Sequence, residues 1–289
     1  MARRRMTALL LASSLLALTA QAAPDFALLS EQAQLSADVY LPEAERAAKL
    51  KQQGQTLIHQ ATLDDSQVSY LLSRAGDVQT IAVRGTANLA NVMVDLDIAF
   101  QPDQGLGIPL HTGFRNSAFA VLEDVSPQLN PDQPVHITGH SLGGAVAVVL
   151  AMYLERAGFD VTQVVTFGQP KVTNVTGAGL YRQLPLTRVV TQKDLVPLVP
   201  PLSPMQIRDL DVYWHLGEEV ILLGDQTYSQ TSGLKAMLRA TKLSTSLPDE
   251  ANLQAHQIST YLTLLQALTT GASEVPYQME INLFGLSIN

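Results

Sequence analysis

The chain has 289 residues, of which 46% are hydrophobic and 15% charged, with a formal net charge of −8 and no cysteine. So acidic a surface is repelled by nucleic acid and gains no attraction to anionic lipid, which excludes a nucleic-acid partner and leaves only apolar contact with lipid. The absence of cysteine excludes disulfides and a lipidated leader, and an exported chain without them fits a bacterial product more readily than an animal one.

Arg3-Arg4-Arg5, an apolar run from Met6 to about Leu18 and the ending Thr19-Ala20-Gln21-Ala22 predict a secretory signal peptide over residues 1–22. The run is too short to span a bilayer comfortably, so no integral membrane span is expected once it is removed. Loss of its three arginines takes the formal charge from −8 to −11. No Pro/Ser-rich linker, charge block or repeat divides residues 23–289, which predicts a single domain exported to the periplasm or the medium.

In chain order, Ala27 to about Tyr40 and Glu43 to Lys51 read as helices, the second charged and exposed. Val68 to Ser73 and Thr80 to Arg84 read as strands joined through Gly76-Asp77. From Leu89 the apolar residues Leu89, Val92, Met93 and Leu96 recur at helical spacing, which by itself predicts a helix facing the core. Ser117 to Val125 is expected to be helical. Val135 begins an apolar strand, then Gly139-His140-Ser141-Leu142-Gly143, then an apolar helix to about Glu155. Further strands are expected at Val161–Phe167, Thr187–Thr191 and around Tyr213-Trp214-His215, with helices from about Gly233 to Leu243 and from Ile258 to Leu268. Strands alternating with helices predict an α/β fold with a mostly parallel sheet covered on both faces. Residues that follow its strands then gather at one rim.

The pattern G-x-S-x-G between a strand and a helix is a nucleophile elbow. The tight turn pushes the serine hydroxyl into the open, and the glycines two before and two after give room for the backbones to approach. Ser141 is therefore the candidate nucleophile. A serine hydroxyl needs a base, and the base an orienting carboxylate. In elbow hydrolases the order is Ser, then Asp or Glu, then His, which leaves His215 and His256. His215 alternates with Tyr213 in a strand-like run and suits a structural histidine. His256 lies about 200° from Ile258 at ~100° per residue, off the apolar stripe of the helix that follows, and is favoured. Asp194, after an apolar strand, is the candidate carboxylate, with Asp209 and Asp211 as the fallback. The N–H of Leu142 is one expected oxyanion donor; Thr86, after an earlier strand, offers an N–H and a hydroxyl for the second. No residue cluster calls for a metal or other cofactor.

Arg84-Gly85-Thr86, His111-Thr-Gly-Phe114, Gly139-His-Ser-Leu-Gly143, Thr166-Phe-Gly-Gln-Pro170, Asp194-Leu-Val-Pro197, Tyr213-Trp-His215 with Gly217, and His256 before a helix together resemble the class 3, fungal-type lipases of the α/β-hydrolase superfamily. The resemblance spans roughly Val68 to Leu265. It implies an α/β-hydrolase fold with a lid helix over Ala87 to Leu96, Asp95 bonding the oxyanion-hole hydroxyl, Ser141, Asp194 and His256 as a triad, and Thr86 and Leu142 as the oxyanion hole. Val92 stands where the family often has an aromatic lid residue and Ala255 where it often has Asp, and the family's disulfides are missing. The expected activity is that of an exported serine carboxylester hydrolase, a lipase acting on acylglycerols, with a lipid or ester substrate met at a lipid–water interface. Phospholipase A1 and soluble-ester esterase are the alternatives within the enzyme class; a binding protein with a lapsed site is the alternative outside it.

Overall fold

The computed structural model describes residues 22–64, 66–85, 100–200, 206, 208, 212–231, 249–277, 281–283 and 286–288. The helix expected from Gly233 to Leu243, the lid expected over Ala87 to Leu96 and most of the expected signal peptide lie outside them. Among the described residues no helix is long and apolar enough to cross a membrane.

Two helices open the fold, α1 (Phe26–Asp38) and α2 (Glu43–Gln52). Asp25 starts α1 by accepting from the N–H of Leu28, a side-chain cap for one of the donors that a helix start leaves without an acceptor. There follow β1 (Thr56–Leu63), β2 (Val68–Ala75), β3 (Val78–Val83), β4 (Phe100–Asp103), β5 (Ile108–His111) and α3 (Thr112–Val125). The centre of the chain forms β6 (Val135–His140), α4 (Leu142–Arg156), β7 (Val161–Phe167), β8 (Thr173–Asn174), α5 (Val175–Leu180) and β9 (Leu186–Thr191). The last part adds β10 (Tyr213–Trp214), β11 (Glu218–Gly224), β12 (Thr227–Thr231), α6 (Glu250–His256), α7 (Ile258–Thr270) and β13 (Ser273–Glu274). A short ribbon pairs 281–283 with 286–288.

The main sheet has the order β1-β2-β3-β6-β7-β9-β11-β12-β13. Its middle, β3, β6, β7, β9 and β11, is parallel throughout. The pairs β1–β2, β2–β3 and β11–β12 are antiparallel, so the parallel centre carries antiparallel borders. The sequence pattern missed β1, whose side chains are half-exposed for most of its length; a strand at the edge of a sheet lacks a continuous apolar signal. It also missed β12 and, in the small sheet β10-β8-β5-β4, the strands β4, β5 and β8, pieces of two to four residues, whereas β10 falls in the run expected around Tyr213. Helix α3 begins five residues before the expected Ser117 because His111 caps it, Nδ1 accepting from the N–H of Phe114.

The parallel strands are covered on both faces, as alternation along β7 makes plain. Val164 joins Val148, Leu150 and Ile137 in a core under α3 and α4, while Val165 and Phe167 point the other way into a core with Phe26, Leu29 and Ala33 of α1 and Tyr261, Leu265 and Leu268 of α7. Gly143 to Leu154 of α4 are all buried, which is why that helix is apolar on every side. Thr138 of β6 faces the α1 side, where its hydroxyl meets Ser36 Oγ at 2.8 Å and the carbonyl of Val165 at 2.9 Å.

Between β6 and α4 the backbones touch. An added Cβ on Gly139 would stand 2.5 Å from the carbonyl oxygen of Gly143, and one on Gly143 would collide with the Val83 carbonyl and the Arg84–Gly85 peptide. At Gly144 the nearest backbone atom would be 3.0 Å away and the next neighbours side-chain carbons. Gly143→Ala is therefore expected to lower stability by about 3 kcal/mol or more, and Gly144→Ala by about 1 kcal/mol, in urea unfolding followed by circular dichroism.

Candidate active site

Ser141 links β6 to α4 with φ 59° and ψ −132°. A left-handed φ is unfavourable for any residue with a Cβ, so the surrounding backbone must hold it in place. The clamp is visible: the Ser141 N–H donates to the Phe167 carbonyl at 2.8 Å, and the Ser141 carbonyl accepts from Gly144 at 3.0 Å. Leu142 is the first residue of α4, where N–H groups have no acceptor within the helix and the helix dipole favours a negative charge. The strand–turn–helix geometry expected around Ser141 is thus in place, with Leu142 opening the helix.

Asp194 follows β9 and is 1% exposed; His256 ends α6 and is 3% exposed. Nδ1 of His256 lies 2.8 Å from Oδ2 of Asp194. The other carboxylate oxygen accepts from the N–H of Val196 at 2.8 Å, and Oδ2 takes a second donor, the hydroxyl of Tyr261, at 2.5 Å. An imidazole that donates from Nδ1 keeps Nε2 free of a proton and able to accept one. The Oγ of Ser141 and the Nε2 of His256 are both buried and have no hydrogen-bond partner among the described residues. The Phe167–Gly168 peptide sits between the two groups: Phe167 receives the Ser141 N–H, and a Cβ on Gly168 (φ +60°) would stand 2.8 Å from His256 Cε1 and 2.7 Å from Asp194 Oδ2. Glycine is what lets the carboxylate and imidazole close over the end of β7.

Of the remaining expectations, His215 donates from Nε2 to the carbonyl of Pro197 at 2.6 Å. It braces the loop after Asp194, in keeping with a structural reading. Thr86, Asp95, Asp209 and Asp211 lie outside the described residues. His140, which precedes the serine in the chain, also reaches the site: its ring lies 4.6 Å from that of His256, centroid to centroid. It is nevertheless unsuited to act as the base, because both ring nitrogens are already bonded, to Tyr40 and to the main chain of His256. Tyr261 was legible only as part of the apolar stripe of α7. Its ring fills that stripe while its hydroxyl reaches the carboxylate, and spacing alone does not reveal the second role.

A serine at a strand-to-helix turn and a buried Asp–His pair, at the carboxyl rim of a largely parallel sheet, are the arrangement of the α/β-hydrolase fold. Residues 80–203 match the family described as Lipase (class 3). The chain is 34% identical over 131 residues to secreted mono- and diacylglycerol lipase 1 of Fusarium solani, covering 42% of this chain and 39% of that protein. It is 32% identical over 189 residues to secreted mono- and diacylglycerol lipase 2 of Gibberella zeae, covering 52% and 45%. The chain thus spans less than half the length of these curated relatives. A crystal structure of mono- and diacylglycerol lipase from Aspergillus oryzae superposes with a TM-score of 0.66 at 20% identity, over 81% of this chain and 96% of that one, a likeness of fold. These relatives are fungal and lend no support to the bacterial origin expected from the lack of cysteine.

Tyr261→Phe removes one donor from Asp194 and leaves the Thr191 N–H, 3.3 Å from the Tyr261 hydroxyl, without that acceptor. The expected outcome is a loss of about 1–2 kcal/mol in stability and roughly a tenfold fall in kcat with KM unchanged. Asp194→Asn, which favours the wrong imidazole tautomer, is expected to cost about 10³–10⁴-fold in kcat on the same ester.

Proposed function

We propose that this chain is an exported serine carboxylester hydrolase acting on acylglycerols. The observation that carries the reading is the buried His256–Asp194 pair at 2.8 Å, set at the same rim as a serine held at positive φ. The match of residues 80–203 to the class 3 lipase family supports it, as do relatives named as secreted mono- and diacylglycerol lipases.

In this reading His256 takes the hydroxyl proton of Ser141 at Nε2 as Oγ attacks the ester carbonyl carbon. The carbonyl oxygen becomes an oxyanion, met by the N–H of Leu142 and by Thr86 as second donor. Asp194 stabilises the imidazolium through Nδ1. The tetrahedral intermediate collapses, the imidazolium protonates the departing alcohol, and Ser141 is left acylated. A water then gives a proton to His256 and attacks the acyl group, releasing the fatty acid and restoring the serine. Donors already fixed on a helix start cost little reorganisation when the charge develops, and that is where such sites gain most of their rate.

The substrate is met at a lipid–water interface through apolar surface, since the acidic chain is not drawn electrostatically to anionic lipid. Residues 1–22 direct export, and the leader is removed after Ala22.

Incubation with a fluorophosphonate probe is expected to label Ser141, and Ser141→Ala to abolish both labelling and at least ~10³-fold of the ester turnover. An unlabelled wild-type protein would mark a binding protein on this fold. On emulsified acylglycerol, phospholipid vesicles and a dissolved short ester, the expected order is fastest on the emulsion. Preference for the vesicles would make the enzyme a phospholipase A1, and a rate indifferent to aggregation a soluble-ester esterase.

A further inference from the structure

His140 adjoins the nucleophile, is 6% exposed, and takes no step in the reaction proposed above. Both of its ring nitrogens are nonetheless engaged. Nε2 lies 2.7 Å from the main-chain oxygen of His256, and Nδ1 lies 3.0 Å from the hydroxyl of Tyr40, just beyond α1. The Tyr40 oxygen in turn receives the N–H of Gly85 at 3.1 Å. The direction of these bonds is forced. A carbonyl only accepts, so Nε2 carries the hydrogen; a neutral imidazole then accepts at Nδ1, so Tyr40 donates there and keeps a lone pair for Gly85. The result is a one-way chain, Gly85 to Tyr40 to His140 to the main chain of His256. The chain needs Gly85 to be bare, since a Cβ there would stand 2.7 Å from the Tyr40 oxygen and 2.5 Å from the His140 carbonyl.

We propose that His140, oriented by Tyr40, is the positioning residue for the base: it ties the backbone of His256 to the strand end that carries Ser141 and stays uncharged while His256 cycles. The proposal rests on the hydrolase reading, because only there does His256 gain and lose a proton. Four segments meet in the tether: the end of β3, the residues after α1, the end of β6 and the end of α6. Gly85 immediately precedes Thr86, so the same tether steadies the strand end from which the second oxyanion donor is expected.

The charge state follows from the surroundings. Burial, and then the positive charge that His256 acquires, push the His140 ring down to about 3; its bond to the His256 carbonyl and the nearby Asp194 carboxylate pull the other way. Burial pushes the Tyr40 hydroxyl up to about 12, against the N–H of Gly85 and the charge of Arg84. From α7, Tyr261 faces His140 edge-on at 6.1 Å. With neutral partners on both sides, the imidazolium formed at each half-reaction meets no second cation stacked beside it. Displacement of a catalytic group by about 1 Å can cost ~100-fold in rate, so a tether on the base's own main chain has a kinetic consequence without touching substrate.

The test uses the mature chain with a dissolved p-nitrophenyl ester, and imidazole NMR by long-range ¹H–¹⁵N correlation. His140→Phe is expected to lower kcat about 100-fold with KM within about twofold. His140→Gln, whose amide N–H can reach the His256 carbonyl, is expected to recover at least tenfold of that loss, and Tyr40→Phe to lose roughly five- to tenfold in kcat. In the wild type, His140 is expected to be the neutral Nε2–H tautomer from about pH 5 to 9, as its depressed titration requires. Wild-type kcat in folded His140→Phe, no recovery in His140→Gln, or a His140 that titrates in that range or carries its proton on Nδ1 would overturn the proposal. Should His140→Phe not fold, His140→Gln, Tyr40→Phe and the NMR tautomer decide. If the wild type neither hydrolyses ester nor takes the fluorophosphonate, the hydrolase reading fails on that ground and the tether stands or falls on the tautomer alone.

Discussion

A strand buried on both faces must give way to a helix buried on every side, with Ser141 alone between them. That passage fixes most of what surrounds it. The residue must take a positive φ, the helix must start against the ends of β3 and β6, and the neighbouring backbones must come so close that Gly139 and Gly143 have no room for a methyl group. Strain at one residue is tolerated because packed apolar cores on either side leave the chain no cheaper path. The strain also lifts a hydroxyl clear of the sheet and aims helix N–H groups at the same spot.

Around that point the polar groups are arranged by the number of bonds they can still make. Asp194 is bonded at both oxygens, with Val196, Tyr261 and His256 all donating to it. Both ring nitrogens of His140 are taken, and the hydroxyl of Thr138, which stitches β6 to α1, meets Ser36 and the carbonyl of Val165. Unused capacity remains on Ser141 Oγ and His256 Nε2. Buried carboxylates are costly unless well bonded; here the bonds that offset that cost also set the orientation of the imidazole. Rigidity in the supporting groups and bonding capacity in Ser141 and His256 are consequences of one hydrogen-bond inventory.

The features legible in the sequence were those that physics writes locally. Five apolar strands, the G-x-S-x-G turn and the helix after Ile258 each leave a pattern within about fifteen residues, and the structure places them as read. The choice of His256 over His215 also came from a local clue, its position off the stripe of α7. Border strands were lost because an edge strand such as β1 keeps many side chains half in water and alternates weakly. The contacts of Tyr261 and His140 were illegible for a different reason. A tyrosine on an apolar stripe and a histidine beside a turn look the same whether or not a partner waits across space. Those partners come from 67 and 116 residues away along the chain, which no periodicity encodes. Gly168 shows the limit most clearly: as a residue it signals a turn, and only the packed fold shows that it makes room for two other side chains.

The pairing of α1 with α7 on one face of the sheet carries a consequence for the order of assembly. Phe26, Leu29 and Ala33 lie near the beginning of the chain and Tyr261, Leu265 and Leu268 near its end, yet they share one core with β7, β9 and β11. Closing a loop of more than two hundred residues is slow and offers no reward until both ends are present. A chain synthesised from its amino terminus therefore waits, with that face of the sheet bare, until its final quarter has emerged. His256 arrives on the segment that leads into α7, so the buried His256–Asp194 pair and the sealed face are completed in a single event.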